Sequence, residues 1–337
     1  MKTLFRVVFL SFLMGNSYMF CQSVQKEPDG IIVTALEKVN GIKILRLKVW
    51  DDNIIQVISS PTNEFSSRES LIITGEAKPS TKWKVSETGD QLNLSTNSIT
   101  VKVDKNNLRV GFFDKHGQQI LTENNKEAHA VKDFSEDCWQ IKQSFLSSKG
   151  ETLYGLGSFQ DADIALNGKK ITLYQKNRDD VVPVIISTNH YGLLWDNYSY
   201  SEFNDIRGSY YLWSEVADEI NYYFMYGEKI DSIVSSYRQL TGKAPMYPKS
   251  YFGYIQSKQK YNTQDEIVSI VKGFRDRKFP LDVIVQDWMY WPQGQWGQKS
   301  FEHKNYPDPS RMVKDIHDMN AKIIISIWPN MTKGTPD

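Results

Sequence analysis

Two short runs of branched apolar residues constrain the fold of this chain most strongly. They lie at residues 281–286 (LDVIVQ) and 322–327 (KIIISI). Continuous runs of Ile and Val are typical of strands in a parallel sheet that helices cover on both faces. With a third strand predicted at residues 251–256, these runs indicate a sheet built from successive strand–helix units.

The segments between these strands carry helix start signals. Thr263 precedes Glu266 by three residues, the pattern of a capping box, and Asp308 precedes Pro309 at a first helical position. Because no glycine-rich GxGxxG turn follows a strand, the alternation favours a (β/α)8 barrel over a dinucleotide-binding sheet. Such a barrel needs about 250 residues. Residues 244–337 therefore predict only the first three or so βα units.

The preceding residues show a different period. Short segments such as 31–36, 43–49 and 99–103 have strand character, several alternate apolar with polar residues, and turn-forming residues separate them. This spacing predicts an N-terminal antiparallel β-sandwich over residues 23–243. The fold class expected is therefore multi-domain, a β-sandwich followed by the start of an α/β barrel.

A helix and a proline-rich connector mark the boundary between the two predicted domains. Apolar residues at helical spacing run over 230–240, and Gly242 is placed to end that helix. Pro245 and Pro248 then stiffen the chain. We place the boundary between residues 243 and 244.

The first 22 residues predict a secretory signal peptide. Lys2 and Arg6 precede an apolar core at residues 7–14, which is too short to span a bilayer. Cleavage close to Cys21 fits this pattern. Lipidation of Cys21 is an alternative, although the bulky residues before it depart from a lipobox. An exported protein is expected, in the periplasm, at the outer membrane or outside the cell.

Composition argues against several classes of partner. Forty basic residues balance forty acidic ones, whereas a nucleic-acid-binding protein would carry a basic excess. Cys21 and Cys138 are the only cysteines, and if Cys21 leaves with the signal, Cys138 has no disulfide partner. The five histidines are scattered and form no HExxH motif. No metal or other cofactor is predicted, and the oligomeric state is left open.

Acidic and aromatic residues follow the predicted barrel strands. Asp287, Trp288 and Trp291 come directly after the second strand, and Trp328 follows the third. In barrels, functional side chains project from these C-terminal strand ends. Carboxylates accept hydrogen bonds from sugar hydroxyls and indoles pack on sugar C–H faces, so the set favours a neutral oligosaccharide partner. Asp287 as a capping or ion-paired loop acid, and Trp328 as a packing residue, are the structural alternatives.

Four stretches resemble glycoside hydrolase family 31. Those that resemble the start of its catalytic barrel are GYIQSKQKYNTQDEIVSIVKGFRDRKFPLDVIVQDWMYW and FEHKNYPDPSRMVKDIHDMNAKIIISIWP. Those that resemble its N-terminal sandwich are GETLYGLGSFQDADIALNGKK and PVIISTNHYGLLWDNYSYSEF. Within the family, the xyloglucan-type α-xylosidases of Bacteroidetes are the most similar.

The resemblance implies roles for the residues at the strand ends. Asp287 matches the acid that binds sugar hydroxyls in the −1 subsite, and Trp328 matches an aromatic residue lining that subsite. Trp288 and Trp291 lie beside them. Asn177 and Asp179 correspond to a loop of the N-terminal domain that reaches over the active site, with a plain surface turn as the alternative.

The resemblance also implies a retaining α-glycosidase with two carboxylates about 5–5.5 Å apart. The nucleophile follows the fourth strand and the acid lies further on, so neither falls within these residues. We therefore expect no catalytic residue here and no activity from the chain by itself. The favoured activity is hydrolysis of terminal α-linked xylose from xyloglucan-type oligosaccharides. Alternatives are an α-glucosidase of the same family and a non-catalytic carbohydrate-binding sandwich protein.

Overall fold

The chain divides into two compact units, Met1–Lys243 and Ala244–Asp337. The computed structural model describes residues 23–78, 80–132, 137–160, 163–176, 178–328 and 330–336. The predicted signal peptide with Cys21, and Asn177, lie outside these residues. Within the described ranges, no helix is both long and apolar enough to cross a membrane.

The first unit consists mainly of antiparallel strands. They are β1 (Ser23–Glu27), β2 (Gly30–Val39), β3 (Ile42–Asp51), β4 (Ile54–Ser60), β5 (Lys84–Thr88), β6 (Gln91–Ser95), β7 (Ile99–Asp104), β8 (Val110–Asp114), β9 (Gln119–Val131), β10 (Cys138–Leu146), β11 (Leu153–Ser158), β12 (Lys170–Leu173), β13 (Asp180–Ser187), β14 (Tyr191–Trp195), β15 (Ser201–Ile206), β16 (Ser209–Ala217) and β17 (Ile220–Tyr226). A helix, α1 (Ile230–Thr241), follows them.

The described strands of this unit pair into two large sheets. The first sheet has the order β1-β2-β3-β4-β17-β14-β13-β11, and the second has the order β12-β15-β16-β10-β9-β8-β7-β6-β5. Their inner faces share one apolar core, and the alternation along β7 follows it, with Ile99, Val101 and Val103 buried. The predicted antiparallel sandwich is confirmed.

Helix α1 covers part of the outer face of the first sheet. Ile233 and Leu240 are buried against that face with Met225. Burying a side chain of this kind contributes about 1.5–3 kcal/mol. Gly192 allows the close approach, because a Cβ there would lie 2.5 Å from Ile233 Cγ2. Gly242 follows with a φ of 84°, so the predicted helix stop is confirmed.

The second unit alternates strands and helices. Its described elements are a 3₁₀ turn (Lys249–Phe252), β18 (Ile255–Gln256), α2 (Gln264–Asp276), β19 (Val283–Gln286), α3 (Pro309–Asp318) and β20 (Lys322–Ile325). The strands pair in parallel in the order β18-β19-β20. The prediction of a parallel barrel start is confirmed.

The strand predicted at residues 251–256 is wrong except at its last two residues, Ile255 and Gln256. Residues 251–252 belong to the 3₁₀ turn, in which Tyr251 N donates to Pro248 O at 3.0 Å. Pro248 precedes the turn and begins it. Burial on both faces also holds only for the central strand, where Val283 and Ile284 are fully buried. The flanking strands β18 and β20 each have one neighbour in the described sheet.

Both predicted helix starts are confirmed. Thr263 Oγ1 accepts from Glu266 N at 3.1 Å, and Asp308 Oδ1 accepts from Arg311 N at 2.9 Å. The Glu266 carboxylate accepts from Asn262 N at 2.7 Å, one residue before the partner that a capping box would use. These caps fix the crossover helices and thereby the strand ends between them.

Candidate functional site

The loops that follow the three parallel strands meet at one edge of the small sheet. Parallel strands place their C-terminal ends together. Trp288 N donates to Gln259 O at 2.9 Å, which joins the loops after β18 and β19. Tyr290 Oη donates to Ser326 O at 3.0 Å, which joins the loops after β19 and β20. We call this edge the rim.

Four tryptophans form a cluster at the rim. The Trp296 ring lies 5.9 Å from Trp288, 5.8 Å from Trp291 and 5.1 Å from Trp328, measured between ring centroids. The backbone N–H of Trp296 donates to Thr332 Oγ1 at 3.1 Å, which fixes the backbone that carries the central indole. The structure therefore brings together the three tryptophans predicted for the site, through Trp296, which lies in the same tryptophan-rich segment of the sequence but was not assigned to the site.

The members of the tryptophan cluster differ in exposure. Trp291 is 3% exposed and packs edge-on against Tyr290, with ring centroids 5.1 Å apart. Trp288, Trp296 and Trp328 are half-buried. Trp291 thus packs beneath the cluster, while Trp288 and Trp328 keep surface at which a ligand could bind. Their contact with substrate stays a prediction.

Several buried polar atoms at the rim have no hydrogen-bond partner among the described residues. They are Nε1 of Trp288, Nε1 of Trp296 and Oε1 of Gln286. A buried polar group left without a partner costs about 1–3 kcal/mol. Such atoms are uncommon in folded proteins, and each requires an explanation. The sandwich has others, Thr122 Oγ1 and Gln143 Oε1 among them, so these atoms do not mark a site by themselves.

Asp287 is half-buried beside this cluster, at the first position after β19. No described residue forms a hydrogen bond or an ion pair with its carboxylate. Neither structural alternative, a capping acid or an ion-paired acid, is observed. Lys260 Nζ lies over the neighbouring Trp288 ring, 5.2 Å from its centroid. Asp287 therefore keeps its full capacity to accept hydrogen bonds.

Asp179 belongs to the first unit and lies in a short turn. Its carboxylate pairs with Lys176 Nζ at 3.2 Å, and its N–H donates to Lys176 O at 3.2 Å. Arg178, between them, has a φ of 81°. The turn lines an open cavity of about 720 Å³ with the β-bulge of β11 at Gly155 and Gly157. A role for Asp179 above an active site stays a prediction.

Sequence reasoning did not assign several residues that build the rim. Trp296 is the hub of the cluster, and Gln286 is a fully buried amide within an apolar strand. Tyr306 Oη donates to Tyr261 O under the same loops. A polar residue that interrupts an Ile/Val run was the available signal for Gln286. Among the described residues, no group of three or more His, Cys, Asp or Glu side chains could hold a metal ion.

Two family models match this chain in sequence order. Residues 44–204 match the glycosyl hydrolase 31 N-terminal galactose mutarotase-like domain, and residues 244–337 match the glycosyl hydrolases family 31 TIM-barrel domain. The chain belongs to glycoside hydrolase family 31. Membership confirms the resemblance expected from the motifs.

Known relatives include α-xylosidases and a glucosidase. An α-xylosidase of Saccharolobus solfataricus is 37% identical over 294 residues, covering 84% of this chain and 40% of the relative. An uncharacterized family 31 glucosidase of Pseudescherichia vulneris is 27% identical over 331 residues, covering 89% of this chain and 61% of the relative. The chain thus spans about two fifths of the length of the first relative and about three fifths of the length of the second.

Solved structures of the family share the fold. The α-xylosidase of Xanthomonas citri superposes with a TM-score of 0.83 at 25% identity, covering 93% of this chain and 50% of that one. A soil-metagenome α-xylosidase complexed with xylose gives a TM-score of 0.81 at 25% identity, covering 91% of this chain and 47% of that one.

Proposed function

We propose that this family 31 chain supplies the N-terminal sandwich and the sugar-binding rim of a retaining α-glycosidase. Its substrate would be terminal α-linked xylose on xyloglucan-type oligosaccharides. One observation carries the proposal most: Asp287, without a partner among the described residues, lies beside the exposed part of the tryptophan cluster at the C-terminal ends of parallel strands. The relatives named as α-xylosidases support the choice of sugar.

The rim would bind the sugar in two ways. The Asp287 carboxylate would accept hydrogen bonds from neighbouring hydroxyls, and hydrogen bonds to a charged acceptor contribute about 1.5–3 kcal/mol each. The rings of Trp288 and Trp328 would pack on the C–H face of the sugar and exclude water from those bonds. The tryptophan cluster fixes both rings before the sugar arrives, which reduces the entropy lost on binding.

Bond cleavage would require two further carboxylates. Retention proceeds through a glycosyl-enzyme intermediate, with a nucleophile and an acid about 5–5.5 Å apart. We propose that residues following 337 supply both groups. In that arrangement this chain orients the sugar, and the added strands carry out the double displacement.

The second candidate is an α-glucosidase, since an α-glucosidase of Bacillus thermoamyloliquefaciens is also a relative, 23% identical over 301 residues. Glucose differs from xylose by a hydroxymethyl group on C5, and a difference of this size is worth about 1–3 kcal/mol in a fitted pocket. The non-catalytic sandwich protein is less favoured, because a binding module has no use for two capped crossover helices and a rim.

The test uses the product of the complete reading frame that contains this chain, assayed on 4-nitrophenyl α-xyloside and on the α-glucoside. We expect kcat/KM for the xyloside to be at least about tenfold higher. The reverse ratio would select the α-glucosidase. Turnover of neither glycoside would refute the proposed activity.

Export is a separate proposal, which rests on residues 1–22. Mass spectrometry of the protein made in its own host should show loss of this segment. A mature N-terminus carrying a diacylglyceryl group on Cys21 would demonstrate the lipid anchor, and an intact Met1 would exclude export by this signal.

A further inference from the structure

The outer face of the second sheet carries a row of large polar and aromatic side chains. Thr172 on β12 pairs with Glu202 on β15, and Glu202 pairs with Trp213 on β16. Trp213 pairs with Lys142 on β10, which pairs with Glu127 on β9. Directly paired residues lie on the same side of a sheet. The row therefore crosses five strands on one surface, which we call the outer row.

Four aromatic rings extend along the outer row. The Tyr174 and Tyr200 rings are 6.1 Å apart, and the Tyr200 and Trp213 rings are 6.2 Å apart. Tyr174 is 54% exposed and Tyr200 is 38% exposed. Trp213 and Tyr211 are half-buried and line an open cavity of about 280 Å³. Exposed aromatic clusters of this kind usually mark an interaction site.

The charges on the outer row are already paired with one another. Lys170 Nζ lies 2.9 Å from Glu202, and Lys142 Nζ lies 3.9 Å from Glu127 and over the Tyr211 ring at 4.7 Å. An anionic or cationic ligand would have to displace these internal pairs, whereas a neutral ligand would leave them intact. The chemistry of the face thus selects an uncharged partner.

Polar groups between the rings remain available for hydrogen bonding. No described residue forms a hydrogen bond with the Gln140 side-chain amide, which lines the cavity, or with the Trp213 indole N–H. Asn204 donates to Tyr211 Oη at 3.0 Å, which leaves the tyrosine hydroxyl able to donate. Ring faces interleaved with amides and hydroxyls match the alternating C–H faces and hydroxyls of a sugar chain.

The shape of the ring array limits the kind of carbohydrate. The planes of Tyr174 and Tyr200 are inclined by 48°, and those of Tyr200 and Trp213 by 80°. Rings inclined in this way cannot all lie against one flat crystalline surface. They can contact successive residues of a single twisted chain in solution.

We propose that the outer row is a carbohydrate-binding surface that holds a neutral oligosaccharide chain through Trp213, Tyr200 and Tyr174. The inference rests on the proposed function, because that function identifies a xyloglucan-type polysaccharide as the chain that the surface would bind. Binding there would raise the local concentration of chain ends around the enzyme without changing the chemistry of cleavage.

The test is native affinity electrophoresis of the full chain in gels with soluble xyloglucan, with heparin as a charged polymer, or with neither. We expect xyloglucan to retard the wild type and heparin not to. Trp213→Ala should weaken the affinity at least about tenfold, and Tyr174→Ala about threefold. Tyr247→Ala, an exposed tyrosine of the second unit, serves as the matched control and should be retarded like the wild type.

Tyr174→Ala is expected to keep the native fold, because this ring is more than half exposed and contributes little to the core. A loss of affinity in this variant would therefore not be due to misfolding. Absence of wild-type retardation in xyloglucan would overturn the proposal. So would equal retardation of the wild type, Trp213→Ala and Tyr174→Ala, or stronger retardation by heparin. The gel needs no turnover, so failure of the glycosidase assay and failure of the surface remain separate results.

Discussion

One carboxylate of the sandwich and one of the rim differ in how their hydrogen-bonding capacity is used. In the sandwich, the fully buried Glu123 carboxylate accepts from Val110 N at 2.7 Å, from Tyr222 Oη at 2.8 Å and from Lys126 Nζ at 3.0 Å. At the rim, no described residue forms a bond with the Asp287 carboxylate. The first carboxylate serves the fold, and the second is left for a ligand.

The same contrast holds for tryptophan N–H groups. Trp195 Nε1 in the sandwich donates to Ser214 Oγ at 2.9 Å. Trp288 Nε1 and Trp296 Nε1 at the rim are buried and have no acceptor among the described residues. Stability favours full satisfaction of such donors. The sandwich also has buried atoms without a partner, Gln143 Oε1 among them, so the contrast is specific to these indoles, which lie beside Asp287 at the rim.

The largest effect on stability should come from breaking the buried ion pair of the sandwich. Glu123→Ala would leave the Lys126 ammonium, 1% exposed, without its counter-charge, and would remove the acceptor of Tyr222 Oη. We expect the free energy of unfolding to fall by about 3–5 kcal/mol in guanidinium titrations.

Glu127→Ala on the same strand is the matched control. This carboxylate is partly exposed and pairs with Lys142 at 3.9 Å, so the loss should stay below about 1 kcal/mol. Equal losses in the free energy of unfolding for Glu123→Ala and Glu127→Ala would contradict the claim that the buried Glu123 carboxylate stabilises the sandwich.

Glu219 is a sandwich carboxylate that is only partly satisfied. Burial, opposed by a hydrogen bond from Ser66 N, and the charge of Asp218 raise the pKa of Glu219 to about 7 from 4.5. In the folded state it therefore holds its proton over a pH range in which the unfolded chain has lost it. Its contribution to stability is present below about pH 4.5 and is lost as the pH rises through about 7.

Glu219→Gln should therefore stabilise the sandwich at pH 8 relative to the wild type, by roughly 1–2 kcal/mol. At pH 4.5 the difference should be near zero. Thermal melts of both proteins across this range provide the measurement. A difference that does not change with pH would show that Glu219 is not held protonated by the fold.

The smallest effect should come from a helix cap in the second unit. Asp308→Ala removes the acceptor of Arg311 N at the start of α3 and should cost about 1 kcal/mol. Asp318→Ala, an exposed acid in the last turn, should change stability by less than about 0.5 kcal/mol. The difference between the two variants measures how much a satisfied helix cap stabilises the second unit away from the rim.

Local patterns were enough to predict most of the fold. The Ile/Val runs, the caps at Thr263 and Asp308, and the glycine after α1 each depend on a few neighbouring residues, and the structure confirms them. Residues 251–252 were predicted as strand but belong to a 3₁₀ turn, which Pro248 begins.

The site was less predictable, because it depends on which side chains meet. Sequence placed Asp287 and Trp328 at strand ends, which follows from topology. It could not reveal that Trp296 would lie between Trp288 and Trp328, or that Trp291 would be 3% exposed, since a loop of several residues returns the indole to the rim. The paired charges of the outer row likewise depend on strand register.

The most direct test of the contrast between fold and rim is Asp287→Asn in the product of the complete reading frame. We expect kcat/KM for 4-nitrophenyl α-xyloside to fall at least about 100-fold, because charge-assisted bonds to the sugar are lost. The free energy of unfolding should change by less than about 0.5 kcal/mol, because no described residue uses the carboxylate. Activity within about threefold of the wild type, or a loss of stability approaching that of Glu123→Ala, would contradict it.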